Sequence, residues 1–354
     1  MNFNTPYSNT PITASVLYRL PNSKHFTRIV QHGMPKCYTT LNDVPLSGGY
    51  VVMPFVVTNS QPIVFVTPDS ISREMLPTPQ ASMPHSIEQC NASDERATYT
   101  QAFAKCKQML LQGQLQKVVL SRRLQVKSQQ PWSAEKLFVQ ACHNRPNSFI
   151  ALWTTPQTGT WLVATPEPLL QKQGNNYSTV ALAGTLPYDA TCATPPLWDE
   201  KNRQEQALVA HFIESQIRPI SQSLLYSDCH TIRSGNIQHL CTNFSFKLNN
   251  SSNERLLLQC LHPTPAVCGL PQAEALRAII ESESTPRQYY AGFSGPFHLA
   301  KDETQLFVSL RCMHLQPNCA TLYAGGGIMP ESKEQAEWDE TCRKLQTMLD
   351  VLRG

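Results

Sequence analysis

Three charged residues near the end of the chain have the types and spacing to act together. Glu337, Glu340 and Lys344 stand at i, i+3 and i+7, so on a helix they fall within about 60° of arc. Two carboxylates on one helix face can hold a hard cation such as Mg2+, and a lysine beside them can hold an anionic group. A solvated face with an i,i+4 Glu–Lys pair has the same spacing, and the sequence leaves both readings open. Glu205 shares a helical face with Leu208, Val209 and Phe212. A carboxylate at the edge of such a stripe must pair or coordinate, because burying it alone is costly. Lys117 and Arg311 border apolar, strand-like runs, KVVLSR and LFVSLR. A lysine so placed either snorkels to water or acts as a base with a depressed pKa. The run YAGGGI at 323–328 precedes the acidic helix by a few residues. Its bare N–H groups suit an anion, but a tight strand-to-helix connection would use the same glycines.

Other chemistries lack their signatures. No CxxC, HxH, HxxxH or HExxH spacing occurs, so the 12 cysteines read as free thiols of a reducing compartment rather than a zinc site or disulfide framework. Dinucleotide, Walker A and nucleophile-elbow motifs are missing. The 354 residues are 41% hydrophobic and only 16% charged, with net charge +3, which excludes a disordered chain and offers no basic stripe for nucleic acid. The most apolar stretch, 51–66, is interrupted by Pro54, Asn59, Ser60 and Pro62, so no membrane span is predicted. The opening MNFNTPYSNT has neither a basic nor an apolar leader segment, and a cytoplasmic protein is expected.

The elements that must position these residues follow from periodicity. Residues 1–92 are polar and proline-spotted, with strand-like runs at 14–20, 49–57 and 63–66. From Ser93 a helical pattern runs to Leu111, with Tyr99, Phe103, Cys106 and Leu110 on one face. Strands are predicted at 117–126, 149–154, 161–164 and 177–183, then at 231–248, 289–297, 306–314 and 320–324. Helices are predicted from Ser133, at 196–217, 254–260 and 271–281, and finally at 333–352. In that last helix Trp338, Cys342, Leu345 and Leu349 form the expected core-facing arc. Interleaved elements with hairpin-like pairs indicate an α+β or mixed α/β fold in one integrated domain, with residues 1–92 built into it and residues 93–354 carrying the chemistry.

Read in order, KVVLSR, TPEPLL, ALAGT, DEKNRQEQALV, HPTPAVCG, RQYYAGFSG, SLRC, YAGGGI and EWDETCRKL resemble the motifs of the chorismate-utilising enzymes, over roughly residues 93–354. The resemblance implies two large, mostly antiparallel sheets layered with helices, Mg2+ as cofactor and chorismate as substrate. It matches Lys117 to a general base and Glu167, in TPEPLL, to a general acid. Glu205, Glu337 and Glu340 match metal-binding glutamates. Gly184, Thr185, Ala266, Tyr290, Arg311, Gly325 and Lys344 match substrate-binding positions. Ala266 and Ala183 resemble isochorismate synthases more than salicylate synthases or the lysine-bearing aminodeoxychorismate synthases. The expected activity is therefore water attack at C2 with loss of the C4 hydroxyl, by a monomer needing no partner subunit. Salicylate synthesis and a non-catalytic chorismate-binding subunit are the alternatives, and whether the product feeds menaquinone or a siderophore stays open. Two departures stand out: Gln206 replaces a frequent histidine, and Pro187-Tyr188 follows the AGT segment where an arginine is common.

Overall fold

The computed structural model describes residues 11–354 apart from 79–85, 91, 189–195, 235–236 and 251. Its described strands make two ten-stranded antiparallel sheets. The first runs Gly269–Leu270, Lys117–Ser128, Cys319–Ile328, Cys312–Leu315, Gly159–Thr165, Phe149–Thr155, Ala14–Arg19, His25–Gln31, Ser70–Met75, with Ile87–Gln89 also on Lys117–Ser128. The second runs Ser221–Tyr226, Ile237–Leu248, Asn176–Pro187, Pro168–Gln173, Glu303–Val308, Phe293–Phe297, Gly49–Met53, Ile63–Val66, Lys36–Tyr38, with His230–Ser234 also on Ile237–Leu248. Six helices accompany them: α1 (Ala92–Leu111), α2 (Ala134–Asn144), α3 (Glu200–Ile217), α4 (Asn253–Leu261), α5 (Gln272–Ser282) and α6 (Glu334–Arg353). The expected layered, antiparallel architecture is present, and strands from residues 14–89 pair into both sheets.

The strand Phe149–Thr155 shows why the first sheet is apolar on both faces. Phe149, Ala151 and Trp153 join a core shared with Phe293 and Phe307 of the second sheet. Ile150 and Leu152 point the other way, to Phe138 of α2 and Leu345, Met348 and Leu352 of α6. A strand covered on both sides has no reason to alternate. Phe149 and Phe307 stack across the sheets at 4.1 Å between centroids. The other helix important to the site, α3, lies on Asn176–Pro187 and Ile237–Leu248.

Several boundaries differ from the sequence reading for local reasons. Helix α3 begins at Glu200 rather than near Pro196, because Asp199 caps it by accepting the Asn202 amide at 2.9 Å. The predicted strand 306–314 is two strands, Glu303–Val308 in one sheet and Cys312–Leu315 in the other. The predicted strand 289–297 begins only at Phe293, since Ala291 has φ +61°. In α6, Leu345 and Leu349 are buried as expected, but Cys342 is exposed and Trp338 half-buried. Thr341, Met348, Val351 and Leu352 complete the buried face.

Candidate active site

The glycines of YAGGGI are strand residues, which corrects the sequence reading of them as following a strand. Gly325, Gly326 and Gly327 pair with Ser121, Leu120 and Val119 of the Lys117–Ser128 strand. Their missing side chains make room over the sheet. A Cβ on Gly327 would lie 2.1 Å from Glu205 Oε1, and one on Gly325 would lie 2.7 Å from the Tyr290 hydroxyl. Above Gly326 stand Glu337 and Glu340, 3.5 and 3.8 Å from where its Cβ would be. Any other residue at Gly327 would evict the Glu205 carboxylate.

Over this floor α3 and α6 hang three carboxylates, each beside a lysine. Lys117 Nζ is 3.0 Å from Glu205 Oε1, off the hydrogen-bonding direction, so the contact is an ion pair only. Lys201 of α3 bonds Glu337 of α6, and Lys344 lies 2.7 Å from Glu340. The Lys117 side chain is 0% exposed, which removes the snorkelling alternative. The solvated-face reading of α6 fails too, since the Glu337 side chain is 2% exposed. Burial and the neighbouring Glu340 push the Glu337 carboxyl up, against the pull of Lys201. Burial also acts upward on Glu340, but Lys344 outweighs it and holds that carboxyl below the usual range. Lys344 Nζ additionally donates to the Gly325 carbonyl at 2.8 Å, joining helix to floor.

These donors suit a hard cation. All are carboxylate oxygens, and Glu337 Oε2 is buried without a hydrogen bond, a cost normally relieved by a partner. Among the described residues no three His, Cys, Asp or Glu side chains already enclose a cation position.

The other half of the site lies where the chain crosses between sheets. Glu167 follows Gly159–Thr165 of the first sheet and precedes Pro168–Gln173 of the second. Proline on both sides of it, Pro166 and Pro168, restrains the crossing to extended backbone. Its amide donates to Thr165 Oγ1 at 3.2 Å, and its carbonyl accepts the Val308 amide at 3.0 Å. Arg311 sits at the adjacent crossing, between Glu303–Val308 and Cys312–Leu315, with φ +42°. A non-glycine residue held in that region is strained and persists only because its surroundings fix it. Here the Arg311 carbonyl accepts the Ala164 amide at 3.1 Å. Burial pushes the Glu167 carboxyl up to about 7, with Arg311, Lys117 and Lys344 opposing. Among the described residues it forms no ion pair within 4 Å.

His239 joins this half of the site and was invisible in the sequence. Its Nε2 accepts from Arg311 Nη2 at 3.1 Å, so Nδ1 carries the proton and donates to the Gly184 carbonyl at 2.8 Å. Burial, then Arg311, pulls the imidazole down to about 3, which keeps it neutral and able to accept. Gly184 has φ +72° at a bulge between Ala183 and Leu186, a backbone suited to glycine. Asn202 Oδ1 accepts the following Thr185 amide at 3.2 Å. Only an alternating strand pattern surrounds His239, and no spacing marks it. Asn202 and Lys201 lay in the quoted α3 motif without being singled out.

The two halves enclose one cleft. Glu167, Gly184, Thr185, Glu205, Ala266, Tyr290, Arg311, Gly325, Glu340 and Lys344 line it. Lys117 and Glu337 lie just behind, against Glu205 and Lys201. Every candidate from the sequence is therefore in or beside one cleft. Gln206 is buried away from it and donates to Thr242 Oγ1 at 2.8 Å.

Comparison with known proteins agrees with this geometry. Residues 59–353 match the family model described as chorismate binding enzyme. Isochorismate synthase EntC of Escherichia coli is 32% identical over 267 residues, covering 73% of this chain and 68% of that protein. The menaquinone-specific isochorismate synthase MenF from Escherichia coli superposes with TM-score 0.81 at 21% identity, over 97% of this chain and 90% of that one. Anthranilate synthase component I from Streptococcus pneumoniae gives 0.72 at 17% identity, over 98% and 94%. The last two likenesses concern the fold. No described helix is long and apolar enough to cross a membrane.

Proposed function

The chain belongs to the chorismate-binding enzymes, and from that premise we propose that it is an isochorismate synthase. One observation carries the choice within the family. A buried carboxyl with its pKa near 7 and the alanine methyl of Ala183 line the cleft, and a buried lysine, Lys117, lies against Glu205 of its lining. A methyl at that position offers no amine to attack a ring, so water is the nucleophile.

In this reading chorismate, a small dicarboxylate, is gripped by Arg311 and Lys344, with Tyr290 and the Gly325 backbone beside them. His239 and the Gly184–Thr185 bulge hold Arg311 in place. Lys117 takes a proton from the water that bonds to C2. Glu167, protonated near neutral pH, gives its proton to the hydroxyl leaving C4, which departs as water while the ring double bonds shift. One water enters and one leaves, so the net change is an isomerisation. Paired acid and base of this kind give about 10²–10⁴-fold each. Glu205, Glu337 and Glu340 would hold Mg2+, which supplies positive charge beside a substrate carboxylate. Residues 93–354 supply every group named, and residues 1–92 contribute strands to both sheets.

Incubating the protein with chorismate and Mg2+ tests the proposal. Isochorismate without salicylate or pyruvate is the expected product. Salicylate with pyruvate would make it a salicylate synthase, and no turnover would leave a binding subunit.

A further inference from the structure

The Lys117–Ser128 strand is paired on one edge by Cys319–Ile328 from Val118 to Lys127, and among the described residues strands cover its other edge only at the ends. Gly269–Leu270 pairs with Val118 and Lys117, and Ile87–Gln89 pairs with Val126–Ser128. In the gap, side chains do what a neighbouring strand would do. Glu283 Oε1 accepts the Ser121 amide at 2.7 Å, and Arg287 Nη2 donates to the Val119 carbonyl at 2.6 Å. Glu95 Oε2 accepts the next free amide, that of Arg123, at 3.2 Å. Exposed strand edges need such cover, but one of these covers reaches further than the edge.

Arg287 is 3% exposed and lies at the end of the loop after α5. Its Nε bonds Glu283 Oε2 at 2.8 Å and its Nη1 bonds the Val267 carbonyl at 2.7 Å. The guanidinium stacks on Phe55 at 4.3 Å, and its own carbonyl accepts the Tyr290 amide at 3.0 Å. One residue thus ties together the strand of Lys117 and Val119 and the Ala266–Val267 turn through its side chain, and the Tyr290 turn through its carbonyl. Val119, Ala266, Val267 and Tyr290 all line the cleft. Arg287 touches the back of that wall and is not among the residues facing the cleft.

We infer that Glu283 and Arg287 form a positioning pair for the reaction, a clasp that sets Lys117 and Tyr290 relative to the groups arriving from α6 and the sheet crossings. The inference rests on the proposed activity for its kinetic consequence, and on geometry alone for the clasp. Arg311 and Lys344, the charged groups of the carboxylate grip, come from elements that the clasp does not touch, and Tyr290 beside them keeps its backbone bond to the Arg287 carbonyl when only the side chain changes. Loosening it should therefore displace the base more than the carboxylate grip.

The test uses R287K, which keeps both buried charges, and E283Q, which keeps the shape of the carboxylate but removes the counter-charge of Arg287. Lysine cannot span two carbonyls and a carboxylate at once. R287K should lower kcat by about 10–100-fold, the scale of an ångström-level misplacement, while KM moves by less than about threefold. E283Q, which keeps an oxygen for the Ser121 amide, should lose less. Amide hydrogen exchange across 117–123 should quicken in R287K with the rest of the chain unchanged. E95A is the control, because it removes the acceptor of the Arg123 amide and so uncovers the same edge farther from the cleft: it should speed exchange near Arg123 and leave kcat alone. Wild-type exchange at 117–123 in R287K, wild-type kcat, or a change in KM alone would each overturn the clasp. If the wild-type protein makes another product from chorismate, the same kcat ratio is read on that product. If it makes none, the functional reading falls, and the exchange measurement still decides whether the clasp holds the strand.

Discussion

Glu340 and Glu167 are both carboxylates that burial makes expensive, yet they titrate in opposite directions. Glu340 lies on the helix side of the cleft, with Lys344 2.7 Å away, and is held ionised below the usual range. Glu167 lies on the sheet-crossing side, where Arg311, the nearest cationic influence, is itself engaged by His239, and its pKa rises to about 7. Desolvation is the same in kind on both sides, and the partner decides the outcome. One side is thereby suited to holding cations and anions in place, and the other to moving a proton. The same arrangement explains why Lys201 and Lys344 alternate with glutamates across α3 and α6: each buried charge there has an opposite charge at contact distance.

The largest expected effect comes from removing a lysine that links the two sides. Lys117 pairs with Glu205 on the helix side and acts electrostatically on Glu167 on the other. Lys117→Ala should lower kcat by about 10²–10⁴-fold, as loss of a general base does. The far-ultraviolet spectrum should stay that of the wild type. A variant keeping more than about half of wild-type kcat would show that Lys117 only balances Glu205, and the division of labour between the two sides would collapse.

A smaller effect separates the sides by stability rather than rate. Below about pH 4.5, the ordinary carboxyl value, Glu167 is protonated in the folded and unfolded chain alike and contributes nothing. As pH rises from there to about 7, the unfolded chain ionises while the folded one does not, so stability falls; above 7 the penalty is constant. The shift from 4.5 to about 7 corresponds to about 3 kcal/mol. Glu167→Gln should thus match the wild type in stability at pH 4 and exceed it by about 2–3 kcal/mol at pH 8, read by denaturant unfolding. Equal stability at pH 8 would mean that Glu167 ionises as easily as a surface carboxylate, and the contrast with Glu340 would vanish.

The helix side was far more legible in the sequence than the crossing side, for a physical reason. A helix converts spacing into a face, so i, i+3 and i+7 already put Glu337, Glu340 and Lys344 together. A crossing between sheets has no period. Arg311 looked like part of one strand over 306–314 because LFVSLRCMHL is largely apolar, and the break at φ +42° leaves no mark in residue types. Glu167 carried only its flanking prolines and the motif resemblance. His239 sits in an ordinary alternating strand, and only the pairing of that strand beside Asn176–Pro187 brings it to Gly184. The glycine run misled in the other direction: glycine is rare in strands, yet here the Glu205 carboxylate and the Tyr290 hydroxyl occupy the space of side chains at Gly327 and Gly325. Exposed edge strands such as Ser70–Met75 were missed because water on their faces removes the apolar signal.

The smallest expected effect tests the helix side internally. Glu205 and Glu340 are both taken as cation ligands, but their lysines differ: Lys117 has no other use for its charge on that side, whereas Lys344 also bonds the Gly325 carbonyl. Glu205→Gln and Glu340→Gln should each raise the Mg2+ concentration giving half-maximal activity by roughly 3–10-fold, since an amide is a weaker donor to a hard cation than a carboxylate. Only Glu340→Gln should also change the KM for chorismate, by a few-fold, because it frees Lys344 from its counter-charge beside the position of a substrate carboxylate. Mg2+ titrations that coincide with wild type in both variants would return these glutamates to the role of counter-ions for lysine. The helix side would then be a salt-bridged support for the substrate grip, and Glu337 Oε2, buried without a partner, would need another explanation.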